Sequence, residues 1–362
     1  MPLSRRWTLT RYLIEERRRF PEASGELNAL ILDVSLACKA IARIVAFGEL
    51  GDSLVQVPAA GGVNARGEVQ KPLDVLSDEI FVRMSEWNGH LSGMASEEAE
   101  RPRQIPKPCQ RGKYLLVYDP LDGASSIDVN VSVGSIFSIL RAPQDVVDNG
   151  RDVTDADFLQ PGATQVAAGY ALYGPTTMFV LSVGDGVAGF TLNPNLGEFV
   201  LTHPDIRIPA DTQEFAINSS NNRFWEPPIK RYVDECLAGR AGVRGRDFNI
   251  RWIASMVAEA HRILMRGGVF MYPRDNQDAS RPGRLRLLYE ANPVGFLVEQ
   301  AGGRASTGRK PILDVTPSSL HQRVGLIFGS RNEVERIERY HHEPRLRDPG
   351  SPLFTERSLF RD

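Results

Sequence analysis

Two carboxylates one turn apart follow a short apolar run in the first half of the chain. The run covers residues 114–118, and the segment after it reads Asp119-Pro-Leu-Asp122-Gly-Ala-Ser-Ser-Ile-Asp. The run predicts a buried strand that stops at Asp119, because Pro120 cannot donate a hydrogen bond to a neighbouring strand. Carboxylates at a strand end suit hard divalent cations such as Mg2+, which take oxygen ligands. The alternative is an acidic turn without a ligand, the commoner explanation of an isolated DxxDG segment.

A phosphate-binding bend is predicted directly after the second carboxylate. Gly123 permits a tight turn in which backbone amides approach a ligand, and the amide of Ala124 and the hydroxyl of Ser125 follow it. A metal site next to a phosphate site is what metal-assisted phosphoryl transfer requires. The segment therefore indicates a phosphatase or phosphotransferase centre.

Composition limits the class of protein. The chain has 362 residues, of which 42% are hydrophobic, so it can bury a sizeable core. Its 43 Lys and Arg nearly balance 45 Asp and Glu, which gives no reason to expect a nucleic-acid partner. Three widely spaced cysteines fit neither a disulfide framework nor a zinc site, and no apolar run reaches the length of a membrane span. We expect a cytoplasmic protein without a membrane partner.

Strands alternate with helices along the chain, which predicts an α/β fold. A helix starts at Ser24, which is expected to act as its N-cap, and Asp74 stands at the start of a second helix, where a plain N-cap is the alternative to a chemical role. The buried face of that second helix is expected to consist of Leu76, Ile80, Met84 and Trp87. Arg284, Arg286 and Leu288 are expected on one face of a strand that ends at Glu290. We divide the chain into domains 1–204 and 205–341 and a flexible tail, 342–362.

The DPLDGASSID segment resembles the metal-binding segment of the lithium-sensitive sugar phosphatases, which include the inositol monophosphatases. The flanking segments 111–114 (RGKY) and 131–137 (VSVGSIF) resemble class I fructose-1,6-bisphosphatase more specifically. The resemblance extends from about residue 24 to about residue 340. It implies a layered α-β-α-β-α fold with two sheets, a homotetramer, and hydrolysis of the 1-phosphate of fructose 1,6-bisphosphate in gluconeogenesis or the Calvin cycle.

The resemblance also implies roles for the acidic residues. Asp74 and Glu98 form the water-activating pair, since two carboxylates held close raise the pKa of one of them. Two adjacent glutamates are otherwise most often solvated surface charges. The cofactor is Mg2+, with Mn2+ or Zn2+ as alternatives. The implied metal ligands are Glu68, Glu97, Asp119, the Leu121 carbonyl, Asp122 and Glu290.

Substrate contacts follow from the same resemblance. Three positions depart from the family, because Asn221 and Trp252 stand where a tyrosine is usual and Arg284 replaces a lysine. The residue matching Arg251 crosses a subunit interface to the distal phosphate in the family. From sequence alone, core packing is the commoner explanation of Trp252, Met256 and Tyr272. The implied substrate-binding residues are Gly123, Ala124, Ser125, Asn218, Asn221, Arg251, Trp252, Met256, Tyr272 and Arg284.

An AMP inhibitor is implied at the start of the first long helix, where backbone amides favour phosphate. The family often has threonine where Ser24 and Asn28 stand, so AMP inhibition is left open. The matching residues are Ser24, Gly25, Glu26, Leu27, Asn28, Lys113, Tyr114 and Arg141. The chain lacks the cysteine-bearing insertion of the redox-regulated plastid relatives, and no thiol switch is expected.

Three other functions stay open. The nearest is the same reaction on sedoheptulose 1,7-bisphosphate, alone or as a second activity. An inositol monophosphatase is disfavoured by Arg251 and by residues 283–290 (GRLRLLYE), which serve a second phosphate in the family. A non-catalytic protein that binds sugar phosphate or AMP is disfavoured, because every acidic position that metal chemistry needs in the family is filled in this chain.

Overall fold

The computed structural model describes residues 7–19, 24–48, 72–278 and 282–343. The larger sheet has eight strands in the spatial order β2-β1-β3-β4-β5-β6-β7-β8. Strands β1 and β3 are parallel, and all the other neighbours are antiparallel. Its strands are β1 (Leu91–Ser96), β2 (Arg103–Gln104), β3 (Tyr114–Asp122), β4 (Val133–Arg141), β5 (Ala167–Tyr173), β6 (Thr177–Ser182), β7 (Ala188–Asn193) and β8 (Glu198–His203).

A second sheet of five strands has the order β10-β9-β11-β15-β13. Strand β9 is parallel to both of its neighbours, and β15 is antiparallel to both of its own. Its strands are β9 (Glu214–Ile217), β10 (Asn249–Ile250), β11 (Val269–Tyr272), β13 (Arg304–Ser306) and β15 (Leu326–Gly329), while β12 (Leu285–Arg286) and β14 (Arg323–Val324) pair only with each other.

The helices form three layers around the two sheets, because alternate strand residues bury apolar side chains on both faces of each sheet. On the larger sheet, Phe137 packs with α1–α3 and its neighbour Ile136 packs with α7 and α8. On the second sheet, Phe270 joins the α7 and α8 layer, and Met271 packs with α6 and α9. The predicted α-β-α-β-α order is confirmed. The helices are α1 (Leu9–Arg19), α2 (Glu26–Phe47), α3 (Pro72–Ser85), α4 (Gln144–Asn149), α5 (Asp155–Phe158), α6 (Pro227–Leu237), α7 (Met256–Arg266), α8 (Asn292–Gln300) and α9 (Arg331–His342).

The start of α2 differs from the prediction. Gly25, with a φ of 87°, precedes the first helical residue Glu26, and no side chain caps the helix. The Ser24 hydroxyl instead accepts a hydrogen bond from Lys113 Nζ at 2.9 Å. The predicted Ser24 N-cap is therefore wrong, because a charged donor from Lys113, the residue before β3, engages that hydroxyl.

The prediction for the buried face of α3 is confirmed only in part, since Ile80 and Met84 are partly buried and pack against the core. Trp87 lies beyond the end of the helix and is 65% exposed. The fully buried positions of α3 are mostly polar, and the Asp78 carboxylate among them accepts a hydrogen bond from the buried Tyr118 hydroxyl at 2.9 Å and pairs with the partly exposed Arg103. An apolar-periodicity argument cannot find such a face. The buried residues of α3 are Asp74, Ser77, Asp78, Phe81 and Ser85.

The three cysteines are all free. Cys38 in α2 and Cys236 in α6 are buried, and burial raises the pKa of each thiol to about 12. Cys109, in the connection between β2 and β3, is partly exposed. None of the described helices combines the length and the apolar composition that a membrane crossing needs.

Two predicted segments fall mostly outside the described residues. The first is residues 48–67, whose aperiodic sequence rich in Gly, Ala and Val predicts a loop and of which only Gly48 is described. The second is the tail 342–362, from residue 344 onward. His342 still belongs to α9.

Candidate active site

Three buried carboxylates converge at the end of β3. One oxygen each of Asp119, Asp122 and Glu290 lies within 4.8 Å of the other two. Each of the three residues is buried. Buried carboxylates at this spacing repel one another unless protons or a cation compensate their charge. The donor set contains only oxygen, which suits Mg2+ or Mn2+ better than Zn2+, whose protein sites favour nitrogen and sulfur.

A bulge in β3 makes this convergence possible. The strand continues to Asp122 rather than stopping at Asp119, so the predicted end was wrong. Asp119 pairs with Ile136 and Asp122 with Gly134, so β3 has one residue more than β4 over this stretch. In a regular strand, residues three apart point to opposite faces. The extra residue changes that alternation and can bring both carboxylates to one side.

Hydrogen bonds hold the bulge. The Ser135 hydroxyl on β4 donates to the Pro120 carbonyl at 2.7 Å and contacts the Tyr173 hydroxyl at 2.6 Å. The Leu121 amide donates to Asp119 Oδ1 at 3.0 Å. Pro120 thus lies where the ladder is interrupted, and its missing N–H costs no strand hydrogen bond.

Glu290 comes from a π-helix, Leu287–Ala291, and not from a strand. The predicted strand face of Arg284, Arg286 and Leu288 is wrong, because only Leu285–Arg286 is extended. All five residues of the π-helix are buried, so the sequence carries no alternation that would separate helix from strand. The Arg286 backbone amide donates to the Glu290 carboxylate.

Glu97 lies beside the cluster. Strands β1 and β3 are parallel, with Ser96 level with Tyr118, so the next residue, Glu97, is level with Asp119. The Glu97 amide donates to the Tyr118 carbonyl at 3.1 Å. Its carboxylate is buried and lies 3.6 Å from the Arg286 guanidinium. Arg286 therefore joins Glu97 to the segment that carries the third carboxylate.

Asp74 and Glu98, the predicted water-activating pair, come from two different segments of the chain. Asp74 is the third residue of α3 and is buried, so it is not the N-cap. Glu98 follows Glu97 and is partly buried, with its amide donating to Ser96 Oγ at 3.2 Å. Their pairing stays a prediction. Glu68 lies outside the described residues.

The bend after Asp122 has the predicted geometry for close approach to a ligand. Gly123 has a φ of 81° and precedes a 3-10 helix, Ala124–Val129. A Cβ on Gly123 would lie 2.9 Å from the hydroxyl oxygen of Ser255, the residue before α7. Two helix starts therefore meet here, and their amides suit an anion. The first turn of α7 also contacts the cluster, since the Val257 amide donates to Asp122 Oδ2 at 2.8 Å.

Ser255 was missed by the sequence argument. Its hydroxyl is buried, faces Gly123 and has no hydrogen-bond partner within the part of the chain that the structure describes. The available signal was a serine directly before an amphipathic helix, which is typical of an N-cap. The cap hydrogen bond is not made, which leaves the hydroxyl for a ligand.

The structure brings three of the predicted sugar contacts together. The Trp252 ring stacks on Phe270, with centroids 5.8 Å apart, and meets Tyr272 edge-on. The Arg284 guanidinium lies 6.0 Å from the centre of the Tyr272 ring. Half of the Arg251 side chain is exposed, beside Glu214.

The other predicted substrate contacts lie in separate local structures. Asn218 caps a 3-10 helix, Ser219–Phe224, by accepting from the Ser220 amide at 3.1 Å, and Asn221 lies within that helix. Met256 is buried at the first position of α7, and Ser125 is exposed.

The residues of the predicted AMP site also cluster. Lys113 Nζ lies 2.8 Å from the Glu26 carboxylate, and its hydrogen bond lowers the pKa of Glu26. The Asn28 side-chain amide donates to the Leu13 carbonyl of α1 at 2.8 Å. Tyr114 and Arg141 face each other across β3 and β4. Ligand entry here would have to displace the Lys113–Glu26 pair.

The five-layered sandwich and the buried carboxylates beside the Gly123 bend are typical of a metal-dependent phosphatase. Residues 7–204 match the family model "Fructose-1-6-bisphosphatase, N-terminal domain". Residues 208–342 match "Fructose-1-6-bisphosphatase, C-terminal domain". The chain belongs to the fructose-1,6-bisphosphatase family, which confirms the resemblance found in the sequence.

Curated relatives and solved structures agree with this membership. The chain is 65% identical to "Fructose-1,6-bisphosphatase class 1" of Hydrogenophilus thermoluteolus, over 98% of this chain and 97% of that protein. It is 62% identical to "Fructose-1,6-bisphosphatase class 1 3" of Methylibium petroleiphilum, over 99% of both chains. The holo-form crystal structure of Leishmania major fructose-1,6-bisphosphatase is 37% identical, with a TM-score of 0.84, over 93% of this chain and 99% of that one.

Proposed function

We propose that this protein hydrolyses the 1-phosphate of fructose 1,6-bisphosphate to fructose 6-phosphate and phosphate with Mg2+. The observation that carries the proposal is the convergence of Asp119, Asp122 and Glu290 within 4.8 Å, directly before the Gly123 bend. Family membership supports the substrate, and the oxygen-only donor set supports Mg2+.

The carboxylates Glu97, Asp119, Asp122 and Glu290 and the Leu121 carbonyl would hold the cation, which supplies positive charge for the attacking and leaving oxygens. Amides after Gly123, together with the hydroxyl of Ser125, orient the phosphate. Asp74 and Glu98 accept the proton of the attacking water. The start of α7 favours the negative charge of the phosphate.

The sugar end of the site is assigned to Asn218, Trp252, Tyr272 and Arg284. Arg251 would bind the distal phosphate, since guanidinium bonds phosphate through two N–H groups. The partly exposed Arg284 against Tyr272 keeps sedoheptulose 1,7-bisphosphate as a second candidate substrate, because this cluster would meet the longer sugar.

The remaining assignments are proposals at the level of the whole chain. We assign domains 1–204 and 205–341, a homotetramer, and a cytoplasmic role in gluconeogenesis or the Calvin cycle, with AMP inhibition at the start of α2 left open. Size-exclusion chromatography with light scattering tests the tetramer directly, since one chain is 40.2 kDa.

The deciding experiment is phosphate release by the purified protein with Mg2+. Fructose 1,6-bisphosphate, sedoheptulose 1,7-bisphosphate and inositol 1-phosphate are compared, each with and without AMP. Asp122→Asn is expected to lower kcat by at least about a hundredfold, as loss of a charge-stabilising group typically does. Asp234→Asn, on the exposed side of α6, is the control and should keep full activity.

Each other result has a defined meaning. Comparable turnover of the heptulose bisphosphate would make the protein a dual bisphosphatase. Turnover of inositol phosphate alone would contradict the proposed substrate. Binding of sugar phosphate without release of phosphate would support the non-catalytic alternative.

A further inference from the structure

A chain of ion pairs connects the start of α7 to Arg251. Glu259 on α7 is completely buried, and Arg262 one turn later is mostly buried. Arg262 donates to the Glu259 carboxylate at 2.9 and 3.0 Å and to the Glu214 carboxylate at 3.0 Å. Glu214 lies 3.4 Å from the Arg251 side chain. Arg262 thus bridges two carboxylates, one of which contacts Arg251.

The same network fixes the backbone between Arg251 and α7. The Ile253 amide donates to Glu259 Oε1 at 2.6 Å, and the Arg251 amide donates to the Phe215 carbonyl at 2.8 Å. Between these attachments Trp252 stacks on Phe270. The next residue, Ala254, has a φ of 64°, a conformation that is unfavourable for alanine and persists only where the surroundings hold it.

A buried carboxylate is expensive unless it is paired. Glu259 has two partners, the Ile253 amide and Arg262, and both lead to the segment 251–255. Burial raises the pKa of Glu259, so its charge depends on these two partners. The hydrogen bonds of Glu259 therefore stabilise the segment 251–255 and not only the helix α7.

We propose that Glu259 is a positioning residue that holds Arg251 ready for the distal phosphate of the substrate. Glu259 fixes the backbone through Ile253 and fixes the side chain through Arg262 and Glu214. This inference rests on the proposed function, and it assigns roles to Glu259, Arg262 and Glu214 that are separate from the metal site.

The test compares two substrates that differ only in the distal phosphate, fructose 1,6-bisphosphate and fructose 1-phosphate. Glu259→Ala is expected to lower kcat/KM for the bisphosphate about tenfold, chiefly through KM, the change that corresponds to about 1.4 kcal/mol of binding free energy. For fructose 1-phosphate the change should stay below about twofold, because Arg251 has no phosphate to bind.

Conservative variants separate positioning from folding. Glu259→Gln keeps an oxygen that accepts from the Ile253 amide and should recover part of the lost kcat/KM for the bisphosphate. Glu214→Gln, at a less buried carboxylate, should show the same substrate discrimination and remains informative if Glu259→Ala does not fold. The control is Glu338→Ala, since Glu338 on α9 forms a comparable pair with Arg304 at 2.7 Å. This variant should leave kcat/KM unchanged for both substrates.

The outcomes are distinct from those of the proposed function. Equal losses for both substrates, or no loss for either, would overturn the positioning role while the wild-type protein still hydrolyses the bisphosphate. A wild-type protein that releases phosphate from neither substrate would overturn the proposed function and this inference with it.

Discussion

Gly123 joins the metal and phosphate parts of the site. Its φ of 81° is in the left-handed region, and an added Cβ would lie 2.9 Å from the Ser255 hydroxyl. Any side chain here would therefore suffer both backbone strain and a contact inside the space where we place the phosphate. The two effects can be separated with a second glycine.

Gly123→Ala is expected to lose activity by more than about tenfold and roughly 1–2 kcal/mol of unfolding free energy. The matched control is Gly197→Ala, in the turn between β7 and β8. Gly197 has a φ of 65° and would place its Cβ in open space, so it shares the strain without the contact. Phosphate-release assays and thermal unfolding of both variants check this. Similar activity losses would show that strain alone explains the effect.

At the scale of elements, the bulge in β3 depends on β4. The Ser135 hydroxyl supports the Pro120 carbonyl at the interruption of the ladder. Ser138, three residues along the same strand, is equally buried but lies where the pairing is regular, opposite Val117. The two serines therefore differ in what their hydroxyls can do for the site.

Ser135→Ala is expected to raise the Mg2+ concentration for half-maximal activity about fivefold, since one lost hydrogen bond is worth about 1 kcal/mol. Ser138→Ala should leave that concentration unchanged. Titration of activity with Mg2+ measures both. An equal shift in the two variants would mean that packing of β4, and not support of the bulge, sets the metal affinity.

The sequence predicted the identities of these site residues better than their backbone. Asp119 and Asp122 could be recognised by residue type and spacing, and Glu290 by the resemblance to the family. The bulge could not, because it arises from pairing with β4, a contact with no local pattern. The π-helix around Glu290 is buried on all sides and carries no periodicity. Polar burial on α3 likewise depends on partners, Tyr118 and Arg103, that are distant in sequence.

A buried ion pair attaches α9 to the neighbouring loop. Glu333 accepts hydrogen bonds from Arg244 at 2.6 and 2.7 Å and from the Tyr232 hydroxyl of α6 at 3.0 Å, and both charged side chains are 2% exposed. Breaking a buried pair leaves an uncompensated charge.

Glu333→Gln is expected to cost about 3–5 kcal/mol of unfolding free energy for that reason. Glu335→Gln, on the exposed side of the same helix, should stay within about 0.5 kcal/mol of the wild type. Urea denaturation gives both values. A small loss for Glu333→Gln would mean that the Arg244 side chain finds another partner.

At the scale of the whole molecule, a histidine connects the larger sheet to the layer between the sheets. His261 on α7 lies 2.8 Å from the hydroxyl of Tyr170 on β5. Burial, and to a smaller extent the nearby His203, lowers the pKa of His261 to about 4. An unfolded histidine has a pKa near 6.5.

Between these two values the unfolded chain binds a proton that the folded chain does not. Stability contributed by neutral His261 is therefore complete above about pH 6.5 and is lost as the pH falls toward 4, by up to about 1.4 kcal/mol per pH unit. His261→Gln should flatten this dependence between pH 6.5 and 5. The exposed His342 at the end of α9 offers the control, since His342→Gln should keep the slope. Urea denaturation between pH 6.5 and 5 measures the unfolding free energy of each variant. An unchanged slope in His261→Gln would contradict the attribution of this pH dependence to His261.

The unequal burial of the cysteines makes Cys109 a natural attachment point. A nucleophilic thiol must ionise, which Cys38 and Cys236 resist because the pKa of each is raised to about 12. Cys109 is the partly exposed one and lies four residues before Lys113. A maleimide dye would therefore attach there in the native protein, without any engineered change. Its fluorescence would report on the surroundings of the connection between β2 and β3.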